Sequence, residues 1–173
     1  MKRIDNALLD HLSVSAQKHP RRRLNHNLHE QPEAVVQRLC NALEPGTDVR
    51  PHRHVTPAGV EVFVALSGSA YVLLFDDDGV VTEREEISSE GPLFGLEIPK
   101  GAWHTIGCLE PRTVLFEVKE GPYNPALAKE FAPWAPPETN SLTAFAERWL
   151  RRAEVGDPFP SSFPTSEDST HVL

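Results

Sequence analysis

The stretch RPHRHVTPAGVEVFVALSG, residues 50–68, sets His52 and His54 one residue apart and places a lone glutamate, Glu61, at the head of an apolar run. In an extended strand, residues i and i+2 face the same way, so the two imidazoles address a single point. Neutral imidazole is the commonest metal-binding side chain. After the turn chemistry of Pro57-Ala58-Gly59, Glu61 shares a face with Phe63 and Ala65, while Val62, Val64 and Leu66 take the other. A carboxylate on an apolar strand costs several kcal/mol if unpaired, so Glu61 wants a cation nearby. A third imidazole, His104, opens a strand behind PKGAW. Each of these groups alone is an ordinary polar strand edge, because short motifs arise by chance. In combination, in this order and on strands, they point to a metal site.

The elements that must carry these residues are β-rich. Turn chemistry in EPGTDVRP leads into VEVFVALSG and SAYVLLF, and DDDG (76–79) is a strong hairpin turn before VVTEREEI. LFGLEIP, HTIGC and RTVLFEVKEG supply further strands. Short strands at this density predict an antiparallel sandwich or barrel. Ahead of them, residues 5–17 space Leu8, Leu9, Leu12 and Ala16 as a helix with Asp5 as N-cap. RRRLNHNLHE then alternates, with Leu24, His26 and Leu28 on one face and Asn25, Asn27 and His29 on the other. Residues 32–43 read as a short helical turn leading into a strand, with Pro32 at its start. YNPALAKEFAPWAPPE is punctuated by proline and should wrap over the surface. Near the end, 141–152 predicts a helix capped by Ser141, with Leu142, Phe145, Ala146, Trp149 and Leu150 in one packing stripe. The final GDPFPSSFPTSEDSTHVL has no periodicity and is expected to be disordered. The expected organisation is a helix and turn over 1–20, a barrel over 21–137, and an extension over 138–173.

Bulk composition narrows the classes of function. With 173 residues and a formal charge of −8, the chain is sized for one domain and lacks the basic footprint of a nucleic-acid binder. Its one basic cluster, KHPRRR, is too short to reverse that balance. No apolar run approaches a membrane span, and Asp5 and Asp10 interrupt the segment a signal peptide would need. Two distant cysteines, Cys40 and Cys108, fit a reducing compartment, so a cytoplasmic location is expected.

GTDVRPHRH followed by EVFVALSG resembles the first cupin motif, and PKGAWH resembles the core of the second. Longer blocks, NALEPGTDVRPHRH, LLFDDDG, EIPKGAWHT and VLFEVKEGPYNP with KEFAPWAP, are similar to the WbuC-type cupin metalloproteins. The resemblance runs from about residue 20 to residue 137. It implies a mainly β cupin fold, a double-stranded β-helix or jelly-roll barrel, with the helices at either end as additions. It also implies one divalent metal held by His52, His54, Glu61 and His104. Six residues separate His54 from Glu61, a longer spacer than the cupin pattern carries, and Cys108 stands where asparagine often ends the second motif. Cys108 lies too far along the strand from His104 to join the cluster and is expected in the core.

Three imidazoles and a carboxylate leave open positions on a six-coordinate metal, which suits Fe, Mn, Ni or Zn. Open positions permit substrate chelation or polarisation of a carbonyl. The expected function is a metal-dependent enzyme on a small polar substrate, a sugar or nucleotide sugar, in cell-surface polysaccharide (lipopolysaccharide) metabolism. That context comes from the family resemblance alone. The alternatives are an Fe(II)-dependent dioxygenase and a non-catalytic ligand-binding cupin, and dimerisation through outer strands is an expectation of the fold. Arg53, between two ligand histidines, should point away from the metal. Lys100 and Trp103 are candidates to pair with and stack on a ligand, although a solvated lysine is the commoner case. Asn25, Asn27 and His29 line the cavity or pair across strands, and Arg38 and Glu117 are candidates of the same kind.

Overall fold

Asp5 caps α1 (Asn6–Lys18), its carboxylate accepting from the Leu8 amide at 3.0 Å. The computed structural model describes residues 1–55, 59–124, 128–138 and 142–162. After α1 come β1 (Arg23–Asn27), β2 (Val36–Leu43), β3 (His52–Arg53), β4 (Glu61–Ser67) and β5 (Ser69–Phe75). They are followed by β6 (Val81–Ser88), β7 (Gly95–Ile98), β8 (Trp103–Cys108), β9 (Thr113–Glu120), β10 (Glu130–Phe131) and α2 (Thr143–Leu150). Residues 32–35 turn without forming a helix, and β2 begins directly after them. The DDDG hairpin forms as expected, with the Asp76 carboxylate accepting from the amides of Asp78 and Val80.

The strands form two five-stranded sheets, ordered β1-β2-β9-β4-β7 and β10-β3-β8-β5-β6, and all pairings are antiparallel. Strand parity distributes side chains over three apolar layers. Between the sheets lie Leu43, Phe63, Val72, Ile87, Ile106 and Leu115. Outside the first sheet, Cys40, Ala42 and Val114 pack under Leu12 and Ala16 of α1. Outside the second, Tyr71, Leu73 and Trp103 pack under Ala146, Leu150 and Phe159 of the C-terminal segment. Because both faces of β5 and β8 are covered, β5 reads as a nearly continuous apolar run and β8, WHTIGC, is buried along its whole length. Cys108 is in the core between the sheets, as expected.

The C-terminal segment departs from its expected disorder. Val81 donates to the Asp157 carbonyl at 3.0 Å, Phe159 donates to Gly79 at 2.9 Å, and Val80 bridges to Pro158. Phe159 joins Trp134 and Trp149 at ring separations near 5 Å (5.1 and 5.0 Å). Backbone pairing and an aromatic cluster thus hold residues 156–162 in place. The remainder of the tail, 163–173, and Ser141 lie outside the described residues. Within them, Leu142 takes the α2 cap position with no side-chain capping bond.

Arg23 ties this segment back to β1 by pairing with Glu138 at 2.6 Å and donating to the Asp48 carbonyl at 2.5 Å. Asp48 is itself buried, and its Oδ1 has no hydrogen-bond partner. Burial, and after it the charge of Glu138, push this carboxyl up to about 7 from the ordinary 3.8. The folded chain therefore holds a proton that the unfolded chain has released, and stability falls as pH rises from about 4 to about 7. Asp48→Asn is expected to flatten that fall and to be more stable than the parent at pH 8 by about 2–4 kcal/mol. Urea unfolding at pH 5 and pH 8 checks it; an equal slope in both proteins would remove Asp48 as the source.

Candidate metal centre

The candidate metal cluster is assembled from both sheets. In the second sheet, His52 of β3 stands opposite His104 of β8 on one side and Phe131 of β10 on the other. His54 follows β3 by one residue and, as parity requires, turns to the same side. From the first sheet, Glu61 at the start of β4 faces them. The ring centroids of His52 and His104 are 4.4 Å apart, those of His52 and His54 5.2 Å, and those of His54 and His104 5.5 Å. Glu61 Oε2 lies 3.1 Å from His104 Nε2 and 3.3 Å from His54 Nε2. Ligand atoms of all four residues fall within 4.8 Å of one another.

The other ring nitrogens show what these atoms face. His52 Nδ1 lies 2.9 Å from the Arg50 carbonyl, His104 Nδ1 lies 2.9 Å from the Ala102 carbonyl, and His54 Nδ1 contacts the Ala128 carbonyl. A carbonyl oxygen can only accept, so each Nδ1 carries a hydrogen, and Nε2 is the atom each ring turns toward the cluster. Burial first, and then the ammonium of Lys129, hold His52 well below the usual histidine range, so it is neutral. His54 Nε2, His104 Nε2 and Glu61 Oε2 are buried, and among the described residues they have no hydrogen-bond partner outside the cluster. Three ring nitrogens and a carboxylate oxygen brought together in a buried space make a seat for a cation. Imidazoles oriented by a second hydrogen bond are the usual form of metal-ligating histidine. The four residues therefore fit a divalent metal, which would supply Lewis-acid chemistry.

Behind Glu61 runs a second buried charge network. The β4–β9 register sets Glu61 opposite Lys119, and Lys119 Nζ reaches Glu61 Oε1 at 3.3 Å and Glu117 Oε1 at 2.5 Å. Asn41, from β2, donates to the other oxygen of Glu117. Burial alone would raise Glu61, but His104, His54 and Lys119 hold it well below the usual carboxylate range. Burial and the neighbouring Glu61 push Glu117 up to about 7. Burial works against the Lys119 charge, yet Glu117 and Glu61 outweigh it and raise that lysine.

The cluster opens on a cavity of about 530 Å³ between the sheets, within the range of small-molecule sites. Asn25, Asn27 and His29 line it, with Asn25 donating to Asn27 at 2.7 Å, and so does Glu117. Arg38, Lys100 and Trp103 are not brought there. Arg38 is exposed and alternates with cavity-lining Gln37 and Leu39 on β2, which puts it on the opposite face. Lys100 pairs with Glu120 at 3.3 Å. Trp103 precedes His104 on the same strand and so faces outward, where it donates to Asp77 at 2.9 Å and packs under the C-terminal segment. Arg53 also points away, stacked 4.2 Å over Trp103 and paired with Glu130 at 2.9 Å.

Sequence reasoning missed Lys119, Asn41 and Lys129, all on the cavity wall. Lys119 was within reach, because it lies two residues beyond Glu117 on one strand and must share its face. Lys129 lies beside a two-residue strand in a proline-rich stretch, where no periodicity exists to read.

Two facing antiparallel sheets, helices outside them and a three-histidine, one-glutamate cluster within make this a cupin fold with a candidate metal centre. The family model that matches, over residues 4–87, is described as a domain of unknown function, DUF6016. No curated protein matches the chain. Among solved structures, the capsular polysaccharide assembling protein CapF from Staphylococcus aureus is 22% identical, with a TM-score of 0.52 over 62% of this chain and 31% of its own. A variant of the salicylate 1,2-dioxygenase from Pseudoaminobacter salicylatoxidans, solved with gentisate, is 12% identical, with a TM-score of 0.54 over 75% of this chain and 37% of its own. A cupin superfamily protein from Desulfitobacterium hafniense is 17% identical, with a TM-score of 0.45 over 57% of this chain and 76% of its own. This chain thus matches about a third of the length of the first two (31% and 37%), and at these identities the likeness is one of fold.

Proposed function

We propose that this chain is a metal-dependent enzyme acting on a small polar molecule bound between its sheets. The observation that carries the reading is the convergence of His52, His54, His104 and Glu61, of which His52, His104 and Glu61 line the wall of a cavity of about 530 Å³. A purely structural metal is closed off by its ligands, whereas a catalytic one keeps positions open beside a substrate space. The polar wall of Asn25, Asn27 and His29 suits hydroxyl groups. The WbuC-type resemblance and the CapF fold favour a sugar or nucleotide sugar of cell-surface polysaccharide metabolism as the substrate. Among the described residues, no helix is long and apolar enough to cross a membrane.

The test is turnover of a sugar and nucleotide-sugar panel by the metal-loaded protein, followed by mass spectrometry. His52→Ala is expected to abolish turnover while the circular dichroism spectrum stays that of the parent. Oxygen consumption with iron but not with zinc would replace this reading with a dioxygenase. Tight metal binding with no turnover of any kind would leave a binding protein.

A further inference from the structure

The wall of the cavity carries more positive charge than its own carboxylates neutralise. Among the described residues, four cationic side chains line it, Arg21, Arg23, Lys119 and Lys129, against Glu61, Glu117 and Glu138. Two of the cations are already engaged: Arg23 by Glu138 at 2.6 Å, and Lys119 by Glu61 and Glu117. Arg21 is exposed at the chain's entry to β1. Lys129 is exposed as well, but it stands on the wall beside the histidine cluster. It alternates with Glu130, which turns outward to Arg53, and so shares the cavity side with Phe131, whose ring lies 6.3 Å from that of His52. The residue before it, Ala128, gives the carbonyl that orients His54. No carboxylate of the described residues lies within ion-pair reach of its ammonium.

A metal cation at the histidine cluster would repel this neighbouring ammonium. An anion seated beside both relieves that repulsion and is held by both. Below it, Leu39, Leu43, Phe63, Ile106 and Leu115 make an apolar floor, and the asparagines of β1 offer amide donors and acceptors.

We infer that the cavity takes a small organic acid, its carboxylate paired with Lys129 beside the metal, its apolar part on the floor and its hydroxyl groups toward Asn25 and Asn27. This rests on reading the histidine cluster as a metal centre open to a ligand. The probe is 3-phenyllactate, a hydroxy acid with an apolar ring, titrated calorimetrically into the metal-loaded full chain beside its primary amide, which has the same shape and no charge. The acid is expected to bind about tenfold or more tightly than the amide. Lys129→Gln should reduce the preference to about twofold with metal content unchanged, and Lys129→Arg should keep it. Equal binding of acid and amide, or a preference that survives in Lys129→Gln, would overturn the inference. So would failure of the acid to bind at millimolar concentration, or saturation by inorganic phosphate in its place. Metal content and turnover, read on the same samples, keep the two readings apart. A metal-loaded, active protein indifferent to the acid loses only the acid site. A Lys129-dependent acid preference without turnover loses only the enzyme.

Discussion

His104→Ala is expected to lose the metal while keeping the barrel. His104 holds its position through three independent contacts: the strand register opposite His52, the Ala102 carbonyl on Nδ1, and the approach of Glu61 to Nε2. Only the imidazole touches the cluster, and β8 stays paired through its backbone with β5 from Ala70↔Cys108 to Phe75↔Trp103. Truncation therefore removes one ligand of four without removing a strand from the sheet. Outer-shell partners of metal sites are worth about 10–100-fold in affinity, so loss of a ligand itself should exceed about 100-fold. Elemental analysis after metal-supplemented expression should show stoichiometric metal in the parent and little in the variant, with matching far-ultraviolet circular dichroism. A variant as metal-rich as the parent would dissolve the cluster as a metal centre. So would a folded parent that takes up no metal at all.

Lys119→Met should be the most destabilising change near the site. The ammonium lies between two buried carboxylates, Glu61 at 3% and Glu117 at 5% exposure. Methionine matches much of its length but none of its charge. Removing one partner from a buried ionic cluster leaves uncompensated charge, which costs about 3–5 kcal/mol. Urea unfolding of the metal-free protein measures it, since bound metal would take over part of the compensation at Glu61. The double variant Lys119→Met/Glu117→Gln should recover part of the loss, because the remaining uncompensated carboxylate is then Glu61 alone. A Lys119→Met protein as stable as the parent would show that the network carries no net charge to compensate.

What could be read in the residues is what depends on near neighbours. The cap at Asp5, the Asp76–Gly79 turn, the shared face of His52 and His54 and the inward face of Glu61 all follow from local periodicity and turn chemistry. The same parity also disposes of Trp103, which cannot share a face with His104 in one strand, and of Arg38 beside Gln37. It equally pairs Lys119 with Glu117. The spacer from His54 to Glu61 could not be judged from its length. Residues 56–58 of it lie outside the described part, yet Glu61 stands 3.1 Å from His104.

What the chain could not disclose is what depends on distant pairing. His52 meets His104 through the β3–β8 register, Glu61 meets Lys119 through β4–β9, and Ala128 reaches His54 across 74 residues of chain. The burial of both faces of β5 and β8 depends on a C-terminal segment whose own residues show only a helix and scattered aromatics. Local periodicity tells each side chain which face to take. Only the closing of the two sheets on each other decides what stands opposite, because register is set by the sum of many weak contacts across the core and by no single residue. The RPHRHVTPAGVEVFVALSG stretch by itself therefore specified the faces of three candidate ligands. The tertiary structure brought His104, itself legible behind PKGAW, against them and added the lysine behind the glutamate and the cavity in front.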